Sequence, residues 1–279
     1  MLIIYPDQKE VALKRSAPPS SPNHSVPGPQ DQRLIPPRRD LTIEVPWLPG
    51  NLFHYWLPES IAGTPVYEHE SWKGVGPSGT LGYQYRDGDK SFQVRASPGD
   101  DELSVVIELA NLSKERWGDR FVNCCLGLWD APSFGEDKAM KRTWVIRDGV
   151  LELLCQINPW AGAKSLKTFY PMPGCESHPY WHQQTVIRKT CPKPVDEGII
   201  MTTSADGHST VAVTFAPPVL CVFNNTDSAF QCIHALSLIR DLEPGDRLIM
   251  MGKVYFDRGG PEACWRRYKS DLRDWESCA

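Results

Sequence analysis

The sequence predicts an all-β protein, an antiparallel β-sandwich with a short C-terminal helix behind a disordered N-terminal arm. Three observations support this fold class. About a dozen short segments alternate between apolar and polar residues, and Asp-Gly pairs separate several of them. Strand and helix patterns do not alternate, which argues against a parallel α/β sheet. No fixed-period repeat is present, which argues against a propeller.

The predicted arm spans residues 1–40, and residues 41–279 form the single predicted domain. Its residues 11–40 carry seven prolines among serine, glutamine and charged residues, at Pro18, Pro19, Pro22, Pro27, Pro29, Pro36 and Pro37. Such a segment buries too little apolar area to offset the entropy lost on ordering. It is therefore expected to be a solvated, polyproline-like tail.

Two Asp-Gly turns predict hairpins within the domain. Residues 81–85 and 91–95 flank the first turn, and residues 143–146 and 150–154 flank the second. The strand at residues 103–109 is expected to pair with the next strand, at residues 121–129. One helix is predicted to begin at Pro261, because Trp265, Tyr268, Leu272 and Trp275 then recur at helical spacing.

Composition excludes several classes of function. The net charge of −4 lacks the basic excess of a nucleic-acid-binding protein. No apolar run reaches the roughly 20 residues of a membrane span, and the first residues lack the basic region of a secretory signal. We therefore expect a cytoplasmic protein with no nucleic-acid or membrane partner. The nine cysteines form no CxxC pair and are expected to be buried free thiols.

The densest group of candidate site residues lies between Glu176 and His182. Within it His178 and His182 are candidate acid and base groups, because imidazole titrates near neutral pH. Tyr180 is the neighbouring phenol, and Trp181 offers a ring that can stack on a sugar. The alternative is an ordinary aromatic loop whose histidines bond to backbone. Glu176, Trp181 and Trp160 are the predicted ligand-binding residues.

His234 and Arg95 complete the predicted catalytic set. His234 offers a second imidazole ahead of the turn at Pro244-Gly245-Asp246, and Arg95 lies on a strand where it could bind a carboxylate or pair with a surface acid. A metal site at His178, His182 and His234 is the alternative, with Cys232 or Glu176 added. Because no HExxH motif is present, we expect neither a metal nor a cofactor.

Three motifs resemble those of galactose mutarotase-like proteins. They are the strand that ends in Asn111-Leu112-Ser113, the turn Pro244-Gly245-Asp246 and the run His178-Pro179-Tyr180-Trp181. The resemblance implies a supersandwich-like fold and a carbohydrate ligand. The spacing departs from the family, since the His-Pro-Tyr run lies far downstream of the Asn-Leu-Ser turn. The family's catalytic glutamate has no clear match, and His234 stands near its expected place.

These observations predict a carbohydrate-active or carbohydrate-binding protein whose partner is a sugar or an oligosaccharide. If the protein is an enzyme, the resemblance implies epimerase-like chemistry. Related sandwiches of polysaccharide lyases use His, Tyr and Arg, which the set His178, Tyr180 and Arg95 also fits. The alternative is a non-enzymatic interaction or scaffold module, because no complete catalytic motif such as GxSxG occurs.

Overall fold

The structure is a computed structural model that describes residues 1–6, 40–61, 64–65, 72–76, 79–161, 167–179, 188–226 and 231–278. These residues form two nine-stranded sheets, with strands numbered in chain order. In spatial order the first sheet contains β1 (Ile3–Pro6), β2 (Asp40–Glu44), β3 (Leu52–Ile61), β9 (Trp117–Gly127), β17 (Cys232–Leu242), β16 (Val219–Asn225), β12 (Lys167–Pro171) and β13 (Arg188–Thr190). Its ninth strand, β4 (Thr64–Pro65), pairs with β3.

The second sheet begins at a hairpin and ends at a short edge strand. In spatial order it contains β11 (Val150–Leu153), β10 (Thr143–Arg147), β14 (Ile199–Thr203), β15 (Thr210–Phe215), β18 (Arg247–Asp257), β8 (Glu102–Asn111), β7 (Lys90–Pro98), β6 (Leu81–Arg86) and β5 (Lys73–Gly74). The described pairings in this sheet are antiparallel, and in the first sheet only β12 and β13 run parallel. The predicted antiparallel β-sandwich is confirmed.

Apolar side chains fill the space between the two sheets. Phe53 of β3 shows the packing, since its ring centroid lies 5.0 Å from that of Phe256 on β18 and 5.4 Å from that of Phe134. Both contacts are edge-to-face, the arrangement that aromatic quadrupoles favour. Alternate residues of each strand therefore face this core, and the remainder point to the outer faces of the sandwich.

The described residues form two helices beside the sheets. The first, α1 (Leu154–Ile157), is a single turn, and the second, α2 (Pro261–Cys278), is the predicted C-terminal helix. On α2, Tyr268 and Trp275 are buried against Ile199 and Tyr255 of the second sheet. The helix therefore covers the outer face of the second sheet. No helix among the described residues is long and apolar enough to cross a membrane.

Both predicted hairpins are confirmed, but the predicted partner of β8 is wrong. Strand β8 pairs with β7 and β18, whereas β9 lies in the first sheet between β3 and β17. The cause is the turn at Asn111, which carries the chain from one sheet to the other. The Asn111 amide donates to the carbonyl oxygens of Glu115 and Leu242 at 2.8 and 2.9 Å.

The same turn joins two of the motifs that carry the family resemblance. The backbone N–H of Gly245 donates to the carbonyl of Asn111, and the N–H of Asn111 donates to the carbonyl of Asp246. Residues 3–6, which the sequence places in the arm, form β1, and Leu2 is buried beside them. Residues 7–39 lie outside the described residues, so the division into arm and domain stays a prediction.

Candidate functional site

The candidate site lies on the outer face of the first sheet, which we define by two rows of side chains. Residues opposite one another on neighbouring strands share a face. The Trp56 row contains Trp56, Cys125, His234, Phe223 and Phe169. The His54 row contains His54, Gly127, Cys232, Asn225 and Lys167. The residues between them along the strands, including Leu126 and Ile233, pack in the core.

His234 stands at the centre of the Trp56 row and is 2% exposed. Its Nε2 lies 2.9 Å from the sulfur of Cys232, and its Nδ1 lies 3.0 Å from Oδ1 of Asn123. The ring stacks on Phe223, with centroids 3.7 Å apart. Cys125 lies directly opposite His234 on β9. The imidazole is therefore held on both nitrogens and on one ring face.

A chain of hydrogen bonds sets the orientation of His234. Nδ2 of Asn123 donates to the Glu59 carboxylate at 2.8 Å. Because a carboxylate only accepts, the other amide atom, Oδ1, faces His234 and accepts from its Nδ1–H. Nε2 is then the nitrogen that faces Cys232. Glu59 lies where the pairing of β3 with β9 shifts between Trp56 and Ser60, and a bulge of this kind re-aims its side chain toward Asn123 on the outer face.

The surroundings of Cys232 favour its ionised form. Burial opposes ionisation, but a hydrogen bond from Cys125 and the charge and hydrogen bond of His234 outweigh it. Together they lower the pKa of Cys232 to about 6. Burial and the Cys232 neighbour raise the pKa of Cys125, which therefore stays a thiol and donates. These contacts therefore favour the thiolate of Cys232, the form that acts as nucleophile and metal ligand.

His54 forms a second polar centre beside this group. Its Nε2 lies 2.8 Å from Oδ2 of Asp130, so in the neutral ring Nε2 carries the proton and Nδ1 is the acceptor. The ring lies parallel to Trp129 at a centroid distance of 5.2 Å, and Trp129 contacts Trp56 edge-on at 6.3 Å. Nδ1 of His54 and Nε1 of Trp56 are buried with no hydrogen-bond partner among the described residues.

Gly127 makes room for the Trp129 ring. It lies between His54 and Cys232 in the His54 row, and a Cβ placed on it would meet the Trp129 ring at 2.0 Å. The aromatic wall formed by Trp56 and Trp129 therefore borders the strand positions opposite Cys125 and Cys232. The side chains of Asp130 and Glu59 are 52% and 33% exposed, so the site reaches solvent where they lie.

The predicted site residues fall in different parts of the molecule. His178 donates through Nε2 to the carbonyl oxygen of Asp119 at 2.7 Å, and Glu176 is exposed in the same turn. Trp160 follows α1, where its backbone N–H donates to Asn158. Arg95 pairs with Glu108 at 2.6 Å on the second sheet. Tyr180, Trp181 and His182 lie outside the described residues.

The structure does not bring His178, Arg95 and His234 together. Asp119, the partner of His178, precedes Asn123 by four residues along β9, a rise of about 13 Å at about 3.3 Å per residue. Arg95 belongs to the other sheet. Of the predicted catalytic residues that are described, His234 alone lies in the two rows.

Sequence reasoning missed His54, Trp56, Glu59, Asn123, Cys125, Trp129 and Asp130. The spacing of the sequence carries a signal for some of them, because three pairs of residues lie two positions apart on one strand. The pairs are His54 and Trp56, Asn123 and Cys125, and Cys232 and His234. Period-two spacing places each pair on one face. The strand register that aligns the three pairs is not encoded locally, so their convergence could not be inferred.

One group of side chains on this face could hold a metal ion. Sγ of Cys125, Sγ of Cys232 and a ring nitrogen of His234 all lie within 4.8 Å of one another. Two sulfurs and an imidazole form a ligand set that zinc prefers.

Comparison with known proteins gives weak structural likenesses. No protein-family model and no curated protein matches the sequence. A putative aldose 1-epimerase from Escherichia coli K12 is 15% identical, covers 74% of this chain and 76% of its own, and gives a TM-score of 0.39. A galactose mutarotase related enzyme from Lactobacillus acidophilus is 9% identical, with coverages of 81% and 92% and a TM-score of 0.40.

A GH36 α-galactosidase from Geobacillus stearothermophilus matches over 80% of this chain but only 30% of its own, at 11% identity and a TM-score of 0.38. The similar structures are mostly galactose mutarotase-like or aldose 1-epimerase proteins. This weak likeness agrees with the resemblance that the sequence motifs indicate.

Proposed function

We propose that this protein binds a carbohydrate on the outer face of its first sheet and transfers a proton on it through a histidine. One observation carries the proposal. An imidazole that a carboxylate holds in one tautomer, His54 with Asp130, stacks on Trp129, which in turn contacts Trp56, and its second nitrogen is unpartnered among the described residues. A sugar combines an apolar ring face with hydroxyl groups, which match the tryptophan rings and the polar atoms respectively.

The two unpartnered atoms differ in what they require. Nδ1 of His54 accepts a hydrogen bond, and Nε1 of Trp56 only donates one. Leaving either atom buried without a partner costs about 1–3 kcal/mol. A hydroxyl both donates and accepts, so a single class of ligand satisfies both atoms. Glu59 and Asn123 add further polar groups along the same face.

His54 is the proton-transfer group in this proposal. Asp130 keeps the proton on Nε2, which leaves Nδ1 as the base, and the carboxylate stabilises the imidazolium that forms. His234 is less suited to this role, since Cys232 occupies its Nε2. The proposed chemistry is epimerase-like or lyase-like, because both reactions begin with proton transfer by a positioned base.

Calorimetric titration with a panel of mono- and oligosaccharides tests the binding. We expect at least one sugar to bind the wild type and its affinity to fall at least tenfold in Trp129→Ala. The matched control is Trp144→Ala, which removes a half-buried tryptophan from the second sheet and should retain affinity. Failure of every sugar to bind, or equal losses in both variants, would refute the proposal.

Two further variants separate this site from the set predicted by sequence. His54→Gln should abolish proton transfer, measured by NMR as the rate of anomer exchange or by absorbance as release of an unsaturated product. His178→Ala and Arg95→Ala should retain it. If these two variants lose activity while His54→Gln retains it, the reaction belongs to the sequence-predicted set instead.

A further inference from the structure

We propose that Cys125, Cys232 and His234 form a zinc-binding site. The strand register places all three on one face, since Cys125 lies opposite His234 and Cys232 lies two residues before it. Their ligand atoms lie within 4.8 Å of one another and are buried. The geometry of these three residues supports the site independently of carbohydrate binding.

The distances suit tetrahedral coordination after a small adjustment. Zinc lies about 2.3 Å from sulfur and about 2.0 Å from nitrogen, so tetrahedral ligand atoms are roughly 3.6 Å apart. Sγ of Cys232 and Nε2 of His234 are 2.9 Å apart without the ion. Coordination therefore requires an opening of roughly 0.7 Å, which side-chain rotation supplies.

The residues behind the ligands are arranged as in metal sites. A ligating histidine commonly donates its other ring N–H to a fixed acceptor, which holds the ring and sets the tautomer. His234 has this acceptor in Oδ1 of Asn123, which Glu59 in turn fixes through Nδ2. In the neutral ring, Nε2 is therefore the nitrogen whose lone pair faces the two sulfurs.

A disulfide is the competing interpretation of the two cysteines, and the register disfavours it. Cys232 lies opposite Gly127 and Cys125 lies opposite His234, so the two cysteines are diagonal neighbours. Diagonal Cα atoms are about 7–8 Å apart, beyond the roughly 4.4–6.8 Å that a disulfide spans. A metal ion bridges this longer separation without moving the strands.

Three protein ligands leave a fourth coordination position, the arrangement of zinc sites that bind a water or another small ligand. Trp56 lies opposite Cys125, and the Trp129 ring lies over Gly127, which is opposite Cys232. The aromatic wall thus borders the site and limits the access of bulk water. We expect an exchangeable ligand, such as water, in that fourth position.

Titration of the metal-free, reduced protein with Zn²⁺ and with Co²⁺ tests the site. We expect one equivalent of Zn²⁺ by calorimetry. Co²⁺ should give thiolate-to-cobalt charge-transfer absorption together with the visible bands of a tetrahedral ion. Cys232→Ser should lose the charge-transfer intensity of one thiolate, and its Zn²⁺ affinity should fall more than about a hundredfold.

Two other variants keep the test decisive. Asn123→Ala should weaken Zn²⁺ binding about tenfold to a hundredfold while both thiolate bands remain, because it removes only the support of His234. Cys155→Ser, a partly exposed cysteine on α1, should bind as the wild type does, and circular dichroism checks that each variant folds. A wild type that takes up no Zn²⁺, or equal losses in Cys155→Ser and Cys232→Ser, would overturn the proposal.

Discussion

At the scale of single residues, the site is organised by groups that can form hydrogen bonds in only one direction. The Glu59 carboxylate only accepts, and this fixes the Asn123 amide, which fixes the tautomer of His234. Asp130 constrains His54 in the same way. Because Asn123 and both histidines are buried, reversing any of these bonds would leave a buried polar atom without a partner.

Gly127 offers a direct test of the aromatic wall. In Gly127→Ala the new methyl group would meet the Trp129 ring at 2.0 Å and force the ring off His54. We expect the free energy of unfolding to fall by about 1–3 kcal/mol, a typical cost of overpacking. Urea unfolding measures this change. Gly74→Ala is the control, since its Cβ would meet nothing within 4 Å and stability should be unchanged.

At the scale of elements, hairpin turns and strand registers decide which side chains meet. The β6–β7 turn shows how local chemistry fixes a hairpin. Oδ1 of Asp87 accepts from the backbone N–H groups of Asp89 and Lys90 at 2.8 and 2.9 Å, and Oδ2 pairs with the Lys90 ammonium. Because these bonds are local, the turn is readable from the sequence.

The pH dependence of stability tests this turn. Burial opposes ionisation of Asp87, but its bonds to Lys90 and to the backbone outweigh burial and lower the pKa of the carboxyl. The charged carboxylate therefore stabilises the fold above the ordinary pKa, and this contribution disappears as pH falls through the lowered value. We expect Asp87→Asn to cost about 1 kcal/mol at neutral pH and less at pH values below about 4.

Urea unfolding at neutral and acid pH measures the difference, with Asp89→Asn, an exposed acid of the same turn, as the control. The control should change little at either pH. An equal penalty for Asp87→Asn at both pH values would show that the carboxylate charge does not stabilise the hairpin.

The elements that the sequence predicted correctly are those specified by local patterns. Both Asp-Gly hairpins and the helix beginning at Pro261 are confirmed. The predicted partner of β8 is wrong because β8 and β9, which follow one another in the sequence, lie in different sheets. The Asn111 turn crosses between sheets, and its bond to Leu242 spans 131 residues. No local pattern encodes such a contact.

The candidate site was only partly predictable for the same reason. His234 was identified from its type and position, but its partners come from β3 and β9, which are distant in sequence. The sequence also draws attention to His178 in a dense run of polar and aromatic residues. Residues that are close together in the sequence need not meet in the folded structure. The Asp119 carbonyl that His178 contacts lies four residues along β9 from Asn123.

At the scale of the whole molecule, the two outer faces of the sandwich are used differently. Helix α2 covers the outer face of the second sheet with Tyr268 and Trp275, whereas the outer face of the first sheet carries the Trp56 row and the His54 row. We expect Trp275→Ala to lower the free energy of unfolding by about 3–5 kcal/mol, because a buried tryptophan leaves a large cavity. Thermal and urea unfolding check this. Arg273→Ala, exposed on the same helix, should change it by less than about 0.5 kcal/mol.

We propose that the outer face of the first sheet binds the sugar. Hydrogen–deuterium exchange with mass spectrometry, with and without saturating D-glucose or D-galactose, gives a direct test. We expect slower exchange of the amides of β3 and β9 with at least one of these sugars, and unchanged exchange in β7 and β8. Protection that appears on the second sheet or around His178 instead, or no protection with either sugar, would contradict it.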